Sequence, residues 1–285
     1  MKNGRPRASP RFAAMAVLIV VTGGVAVAEN ITPGNDGSKS AWSENLGWIN
    51  LQPSGAGGPG VQVAASGLTG WAWSENAGWI SLSCTNRSCA SGSYGVTNDG
   101  CGILAGSAWS ENAGWINFHP PFTGTGLGVY IDPVTGIFSG RAWSENAGWI
   151  TFSSAGPNPY RIVTSWRAQV PAAVTGVHVD KLSATSARIS WAASPGTTAY
   201  DVVQGRLSAL RSSHGNYSFA TLACIDSYDP GTSTTTFGNP SVGDGSWYLV
   251  RGANCEIVKG TYDSGSPKQV GSRDALIALS GVDCP

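Results

Sequence analysis

Four carboxylates recur in register along this chain: Glu44, Glu75, Glu111 and Glu145, each followed by an asparagine. Carboxylate and amide oxygens are hard ligands, so a set of them suits calcium. Two carboxylates facing a sugar would also serve as the acid and base of glycoside hydrolysis. That second chemistry needs two environments that push a pair of pKa values apart. Four near-identical copies supply the reverse, so no catalytic residue is assigned. The plainest alternative is a solvated turn residue whose carboxylate accepts nearby backbone N–H groups. No cofactor is called for, and calcium on Glu44, Glu75, Glu111 and Glu145 is the one metal reading these residues offer.

Tryptophan is the other recurrent group. Trp42 and Trp48, Trp73 and Trp79, Trp109 and Trp115, and Trp143 and Trp149 bracket the four Ser-Glu-Asn-x-Gly segments. An indole offers a flat apolar face and a polar edge, so the pairs are either stacking platforms for sugar rings or packing residues that stiffen a sheet. Trp71 is present in one copy only. Arg141 and Ser107 replace it elsewhere, so the fold does not demand it. Other nucleophilic and phosphate-binding signatures are missing: there is no Gly-x-Ser-x-Gly elbow, His-Glu-x-x-His or glycine-rich phosphate loop in the sequence.

These residues sit in an eleven-residue stretch that starts at Ala41, Ala72, Ala108 and Ala142, with spacings of 31, 36 and 34 residues. The chain is thus a repeat protein first. β-Branched and aromatic flanks around an Asn-x-Gly turn predict a hairpin, with glycine supplying a positive φ. A loop from Ser43 to Gly47 sets Trp42 opposite Trp48 on one face, and the later pairs follow. Each such aromatic pair contributes roughly 0.5–1 kcal/mol beyond its buried area. Period-two counting puts Leu68, Gly70 and Ala72, with Ile80 and Leu82 and their counterparts, on the opposite face. That face is the core, its Gly and Ala allowing a neighbour close approach, and the tryptophan face is wet or covered only near the turn.

A short leading strand precedes each later hairpin: Gly60-Val61-Gln62-Val63, Gly95-Val96-Thr97 and Gly128-Val129-Tyr130-Ile131, the last followed by an Asp132-Pro133-Val134-Thr135-Gly136 turn. The first hairpin has no such strand before it. A spare strand-like piece, Tyr160 to Trp166, follows the fourth. Either this piece completes the first unit and closes the array, hiding its edges, or the units form an open stack or sandwich.

Residues 1–28 read as a signal peptide: Lys2, Arg5, Arg7 and Arg11, an apolar run from Phe12 to Val21, then Ala26-Val27-Ala28. Export with cleavage near Ala28 follows, placing the product outside the cell, at its surface or in the periplasm, and no later stretch is a membrane span. With charged residues at 12% and a formal net charge of zero, no basic stripe is available for nucleic acid. Six cysteines in an exported chain argue for disulfides. Cys84, Cys89 and Cys101 fall in the first half and Cys224, Cys255 and Cys284 in the second. A bridge between halves, a free thiol in each, or a bridge between chains all fit. The preferred local pairings are Cys84 with Cys89 or Cys101, and Cys224 with Cys255.

After Trp166 the composition changes. Pro171, the Ser186-Ala-Arg-Ile-Ser-Trp191 strand, the Tyr200-x-Val strand and Trp247-Tyr248-Leu-Val-Arg-Gly-Ala-Asn254 resemble a fibronectin type III domain. That resemblance implies a β-sandwich that acts as spacer or recognition scaffold, without a catalytic site. A last strand is expected near Asp274 to Leu279. The chain departs from the family in a long insertion from Leu207 to Asn239 and in its three cysteines. The Gly-x-Ala-Trp-Ser-Glu-Asn-x-Gly-Trp-Ile-x-Phe pattern of residues 41–153 is similar to repeats in large secreted and surface proteins of bacteria, which implies location and architecture rather than chemistry.

The expectation is therefore an all-β protein. Residues 29–166 form a Trp-rich repeat domain of tandem three-stranded units, with hairpins at 41–51, 72–82, 108–118 and 142–152, as a closed ring or stacked sheet. Residues 170–285 form an immunoglobulin-like or fibronectin type III sandwich. The function expected is a non-enzymatic structural or adhesive one, with a surface polysaccharide or a protein as partner, or self-association. The alternative is a carbohydrate-binding module stacking sugars on Trp42, Trp48, Trp71, Trp73, Trp79, Trp109, Trp115, Trp143 and Trp149. A calcium-binding repeat or the accessory domain of a secreted hydrolase comes third.

Overall fold

The computed structural model describes residues 29–53, 60–121, 128–269 and 271–285. The segment read as a signal peptide lies outside them. Eight antiparallel strands form a closed barrel from four sequence-adjacent pairs: Ser40–Ser43 with Gly47–Asn50, Trp71–Ser74 with Gly78–Ser81, Leu104–Ser110 with Gly114–Asn117, and Phe138–Ser144 with Gly148–Thr151. Closure comes from the fourth hairpin pairing with the first, Ile150 opposite Ser43 and Thr151 opposite Trp42. No edge is left in the ring, which removes the exposed ladder an open array would carry.

An eight-stranded barrel is just wide enough for its own side chains. Here Ala41, Ile49, Ala72, Ile80, Ile116 and Ile150 point inward and are buried, as are Leu82, Phe118 and Phe152. They leave a void of about 20 Å³ with an apolar lining, too little for a ligand. At the turn end, Leu46, Ala77, Ala113 and Ala147 are buried and plug the barrel. Alternation along the strands therefore sends every tryptophan of the four pairs outward.

The strands that lead into the barrel kink at glycine. Gly106 and Gly140 have φ of +81°, and a Cβ on Gly140 would stand 1.9 Å from the Gly128 carbonyl oxygen. Beyond the kink the chain pairs with a lower tier: Val96–Asn98 on residues 104–106, and Gly128–Ile131 on residues 138–141. Residues 160–164 take the corresponding place for the first unit. Ile162 bridges Lys39, Thr164 bridges Ile31, and Val163 bridges Ile137 of the fourth unit. The Val163 N–H donates to the Ser38 carbonyl and the Phe138 N–H to the Ile162 carbonyl. The closing role of this segment follows from its apolar alternation, with Ile162 and Thr164 both fully buried.

The rest of the chain builds a three-stranded sheet, with Ser186–Ser190 between His178–Lys181 and Ser233–Phe237, and a four-stranded sheet ordered Thr221–Asp229, Ala199–Arg206, Ser246–Asn254, Val258–Lys259. Ile189, Trp191, Tyr200, Val202 and Val250 pack between them. The far face of the larger sheet is covered by Tyr262, Ile277 and Cys284 around Val203. The strand expected near Asp274 to Leu279 is instead a helix, Arg273–Ala278. Ser272 caps it by accepting from the Ala275 N–H, Asp274 sits in its first turn, and its Ala-Leu-Ile-Ala run buries only Ile277.

Three disulfides form: Cys84–Cys89, Cys101–Cys255 and Cys224–Cys284. The preferred Cys224–Cys255 pairing is wrong for a topological reason. Cys224 pairs alongside Val203, whereas Cys255 follows Ala253, which pairs with Ala199 on the other side of that strand. Cys255 thus lies a strand away and several residues along, within reach of Cys101 in the loop before Leu104. One bridge joins the two halves of the sequence.

Candidate functional site

The turn of each hairpin is built by its serine. Ser43 Oγ accepts from the N–H groups of Asn45 and Leu46, both at 3.3 Å, and donates to the Ala147 carbonyl of the fourth hairpin at 3.0 Å. Ser74 donates to Leu46, Ser110 to Ala77 and Ser144 to Ala113. The four bonds thus run around the ring from each turn to the one before it. Asn45, Asn76 and Asn112 add a side-chain N–H to the same carbonyls. Serine and asparagine of the repeat are therefore ring-closing groups, and the serine hydroxyls accept the turn N–H groups that the glutamates were expected to take.

Glu44, Glu75, Glu111 and Glu145 are exposed on four separate turns. Among the described residues no three His, Cys, Asp or Glu side chains come together in a way that would hold a metal ion.

Outside the barrel the tryptophans form a belt. Trp42 faces Trp48, Trp73 faces Trp79, Trp109 faces Trp115 and Trp143 faces Trp149 in register. Their ring centroids are 4.7–4.9 Å apart and the planes are steeply inclined. This edge-to-face contact holds the rings upright while leaving faces open. Trp42, Trp48, Trp73, Trp79 and Trp115 are exposed, Trp48 and Trp115 by 53%. Trp71, Trp109, Trp143 and Trp149 are half-buried. Where hairpins meet, the leading tryptophan of one pairs with a small polar residue of the last: Trp73 with Asn50, Trp109 with Ser81, Trp143 with Asn117, Trp42 with Thr151. Large pairs therefore alternate with small residues around the ring, and grooves open between hairpins.

The groove between the second and third hairpins, about 330 Å³, is lined by Trp71, Trp73, Trp79, Arg87, Tyr94, Trp109 and Glu111 among others. It owes its far wall to the loop after Ser83. Cys84–Cys89 closes a tight 3₁₀ turn, and Ser88 and Cys89 adopt left-handed backbone. Asn86 exchanges bonds with both backbone groups of Gly70 and donates to Ser81 Oγ. Tyr94 Oη also bonds Ser81 Oγ, at 2.9 Å. Arg87 then lies over the Trp71 ring at 5.3 Å and reaches Glu111 across the groove at 3.7 Å. Sequence reasoning singled out Trp71 but missed Arg87 and Tyr94. The signal was the spacing: the interval that holds this loop, 36 residues, is the longest of the three.

A second polar cluster lies in the C-terminal part. Asp201 is fully buried and meets Arg251 at 2.9 Å and Lys259 at 3.2 Å. Arg251 also reaches Asp283 and stacks on Tyr262, whose hydroxyl burial pushes far above its usual range. Arg251 and Lys259 both donate to the Cys284 carbonyl. These charges neutralise one another around the tail, so their role is to anchor Asp283 to Pro285.

Compared with protein-family models and with curated proteins, the chain matches none.

Proposed function

We propose that this is an exported, non-enzymatic surface-interaction module that adheres to a surface polymer or a protein partner through its tryptophan belt. The observation that carries the reading is the belt itself: rigid indole pairs, exposed on a closed ring whose hydrophobic needs are already met inside. An apolar surface held in water in this way marks an interaction face. Indoles fixed by their neighbours lose little further freedom on binding, which favours affinity. The Cys101–Cys255 link attaches the C-terminal part at the opposite end of the Leu104–Ser110 strand from the turn, so the belt is left uncovered. We take residues 29–166 as the contact domain and 170–285 as a fibronectin type III-like spacer. Three disulfides fit an extracellular protein, and no helix among the described residues is long and apolar enough to cross a membrane.

The test is adsorption of the full chain to insoluble cellulose, chitin and peptidoglycan sacculi and to a collagen-coated surface. Native protein should adsorb to at least one. The quadruple variant Trp48→Ala, Trp73→Ala, Trp79→Ala, Trp115→Ala should lose adsorption with its melting temperature within a few degrees. Equal adsorption by both proteins, or none by either, overturns the reading.

The carbohydrate-binding alternative is favoured by one observation, the composition of the groove between the second and third hairpins.

A further inference from the structure

We infer that the groove between the second and third hairpins is a discrete binding site for one segment of a neutral glycan, a conclusion that rests on the belt being the contact face. Four hairpins share the belt, yet this groove has a dedicated wall. A disulfide, two left-handed residues and the Asn86 bonds to Gly70 and Ser81 fix its loop so that Arg87 lies over Trp71, while Tyr94 stands on Ser81 and against Trp115. The ring needs none of this. At the place of Trp71, opposite the second strand, the first, third and fourth hairpins carry Ser40, Ser107 and Arg141. Rigid support beneath exposed aromatic and polar groups is what a preorganised ligand site requires.

The lining chooses the ligand class. Trp71, Trp79 and Trp73 give flat apolar faces, with Trp71 and Trp79 at 6.3 Å and steeply inclined. Around them stand a guanidinium that only donates and a carboxylate that only accepts, Arg87 and Glu111. A pyranose ring has apolar C–H faces and an equator of hydroxyls, each both donor and acceptor, so it satisfies both groups at once. A proline-rich peptide, the other ligand of aromatic grooves, offers carbonyl acceptors and few N–H donors, and would leave Glu111 facing acceptors. The opposite charges of Arg87 and Glu111 also give no net preference for an ionised ligand. Both side chains are mostly solvent-exposed, so their pairing costs little to open, and each then turns to the sugar. A volume of about 330 Å³ is at the small end for ligand sites and fits a short run of residues rather than a chain wrapped around the belt.

The experiment is calorimetric and fluorescence titration of the full chain with soluble cello-, chito-, laminari- and manno-oligosaccharides, and with a proline-rich decapeptide. At least one oligosaccharide should quench tryptophan emission saturably. Trp71→Ser, which installs the residue type the third hairpin already has, and Arg87→Ala should each raise Kd by about tenfold or more. Glu145→Gln, exposed on the fourth turn and outside the groove, should leave Kd within about twofold, and all three variants should melt with the native chain. Three outcomes overturn the inference: no saturable oligosaccharide binding, binding equally sensitive to Glu145→Gln, or preference for the peptide. If the belt variants lose adsorption but the groove variants change nothing, the belt reading stands and this site falls. If adsorption never depended on the belt, the wider reading falls first.

Discussion

Ser43 donates its hydroxyl to the carbonyl of Ala147, 104 residues later, at 3.0 Å, and both residues are buried. The same bond joins each of the other turns to its predecessor. Here, though, it ties the last hairpin to the first and so closes the ring. Ser43→Ala removes a donor to a buried carbonyl and an acceptor for two turn N–H groups. A loss of about 2 kcal/mol is expected, at the upper end for one neutral group because three bonds go together. Ser74→Ala should cost about the same in a closed ring. A chemical melt of both variants checks this; a Ser43→Ala chain as stable as native would show that closure does not run through the turns.

Gly140 shows how little room the junction between barrel and lower tier allows. Its φ is +81°, and an added Cβ would sit 1.9 Å from backbone. Neither strain nor contact can relax through a flexible side chain, so Gly140→Ala should destabilise by more than about 3 kcal/mol. Thermal denaturation of Gly140→Ala beside Gly37→Ala, where φ is also positive but nothing lies within 4 Å, separates close contact from backbone strain.

The inward face of the barrel was legible in the sequence because period-two alternation is local: once Trp42 faces Trp48, Ala41 and Ile49 must point the other way. Residues 160–164 were legible as a strand-like piece, but their place stayed open between completing the first unit and an open stack until the bridges to Lys39 and Ile31 decided it. What could not be read was long-range. Cys101 and Cys255 meet because the loop before Leu104 lies against the end of the Ser246–Asn254 strand in the C-terminal part, and no spacing rule encodes that. The serine bonds were hidden for a different reason. Serine in a turn reads as a cap for its own backbone, and its second partner, a carbonyl of the adjacent hairpin, appears only when the ring exists. Arg87 and Tyr94 came from a loop without periodicity, so only their neighbour Trp71 drew notice.

Two aspartates give the fold opposite pH responses. Burial alone would raise Asp132, but N–H donation from Thr135 and Val134 and the nearby Arg167 outweigh it and hold the carboxyl below 3.8. A folded value below the unfolded one means stability that is present at neutral pH and lost as pH falls through the ordinary aspartate range. Asp226 is raised by burial, with Asp229 and Asp201 adding repulsion against a bond from Thr234. It therefore works the other way, costing stability as pH rises through its folded value. Asp132→Asn should flatten the acid limb of a stability profile, by at most about 1 kcal/mol given its exposure. Asp226→Asn should raise stability at neutral pH relative to native. The two profiles, measured by urea unfolding between acid and neutral pH, should differ in sign.

Asp201 is the shared counter-charge of Arg251 and Lys259. Removing it leaves two cations against one remaining partner, Asp283, in a site where Arg251 is 5% exposed. Breaking a buried pair in this way costs about 3–5 kcal/mol, so Asp201→Asn should lower the melting temperature strongly and release the tail, seen as faster cleavage after Lys259. Paired Asp201→Leu and Arg251→Met changes should recover part of the loss. No recovery would mean that the backbone bonds of the tail, rather than charge balance, hold this region.

The Cys101–Cys255 bridge spans 154 residues of sequence and constrains the unfolded chain more than the local Cys84–Cys89 loop of separation 5. Loop-closure entropy gives about 4–5 kcal/mol for a bridge of such length, against about 2 for a very short one. Cys101→Ser with Cys255→Ser should therefore lower stability far more than Cys84→Ser with Cys89→Ser. The folded state should also loosen at one place. Asn254 donates to the Gln169 carbonyl beside this bridge, and Val258 joins the buried apolar cluster of the first half of the chain, so the junction keeps some contacts without the disulfide. The expected result is a single melt for the native chain and two separated transitions for the Cys101→Ser, Cys255→Ser variant, with limited proteolysis cutting near residues 166–172. Two transitions in the native chain, or one in the variant at an unchanged midpoint, would show that the disulfide does not couple the halves. The Cys84→Ser, Cys89→Ser variant should keep a single transition, because its loop supports the groove wall and not the junction.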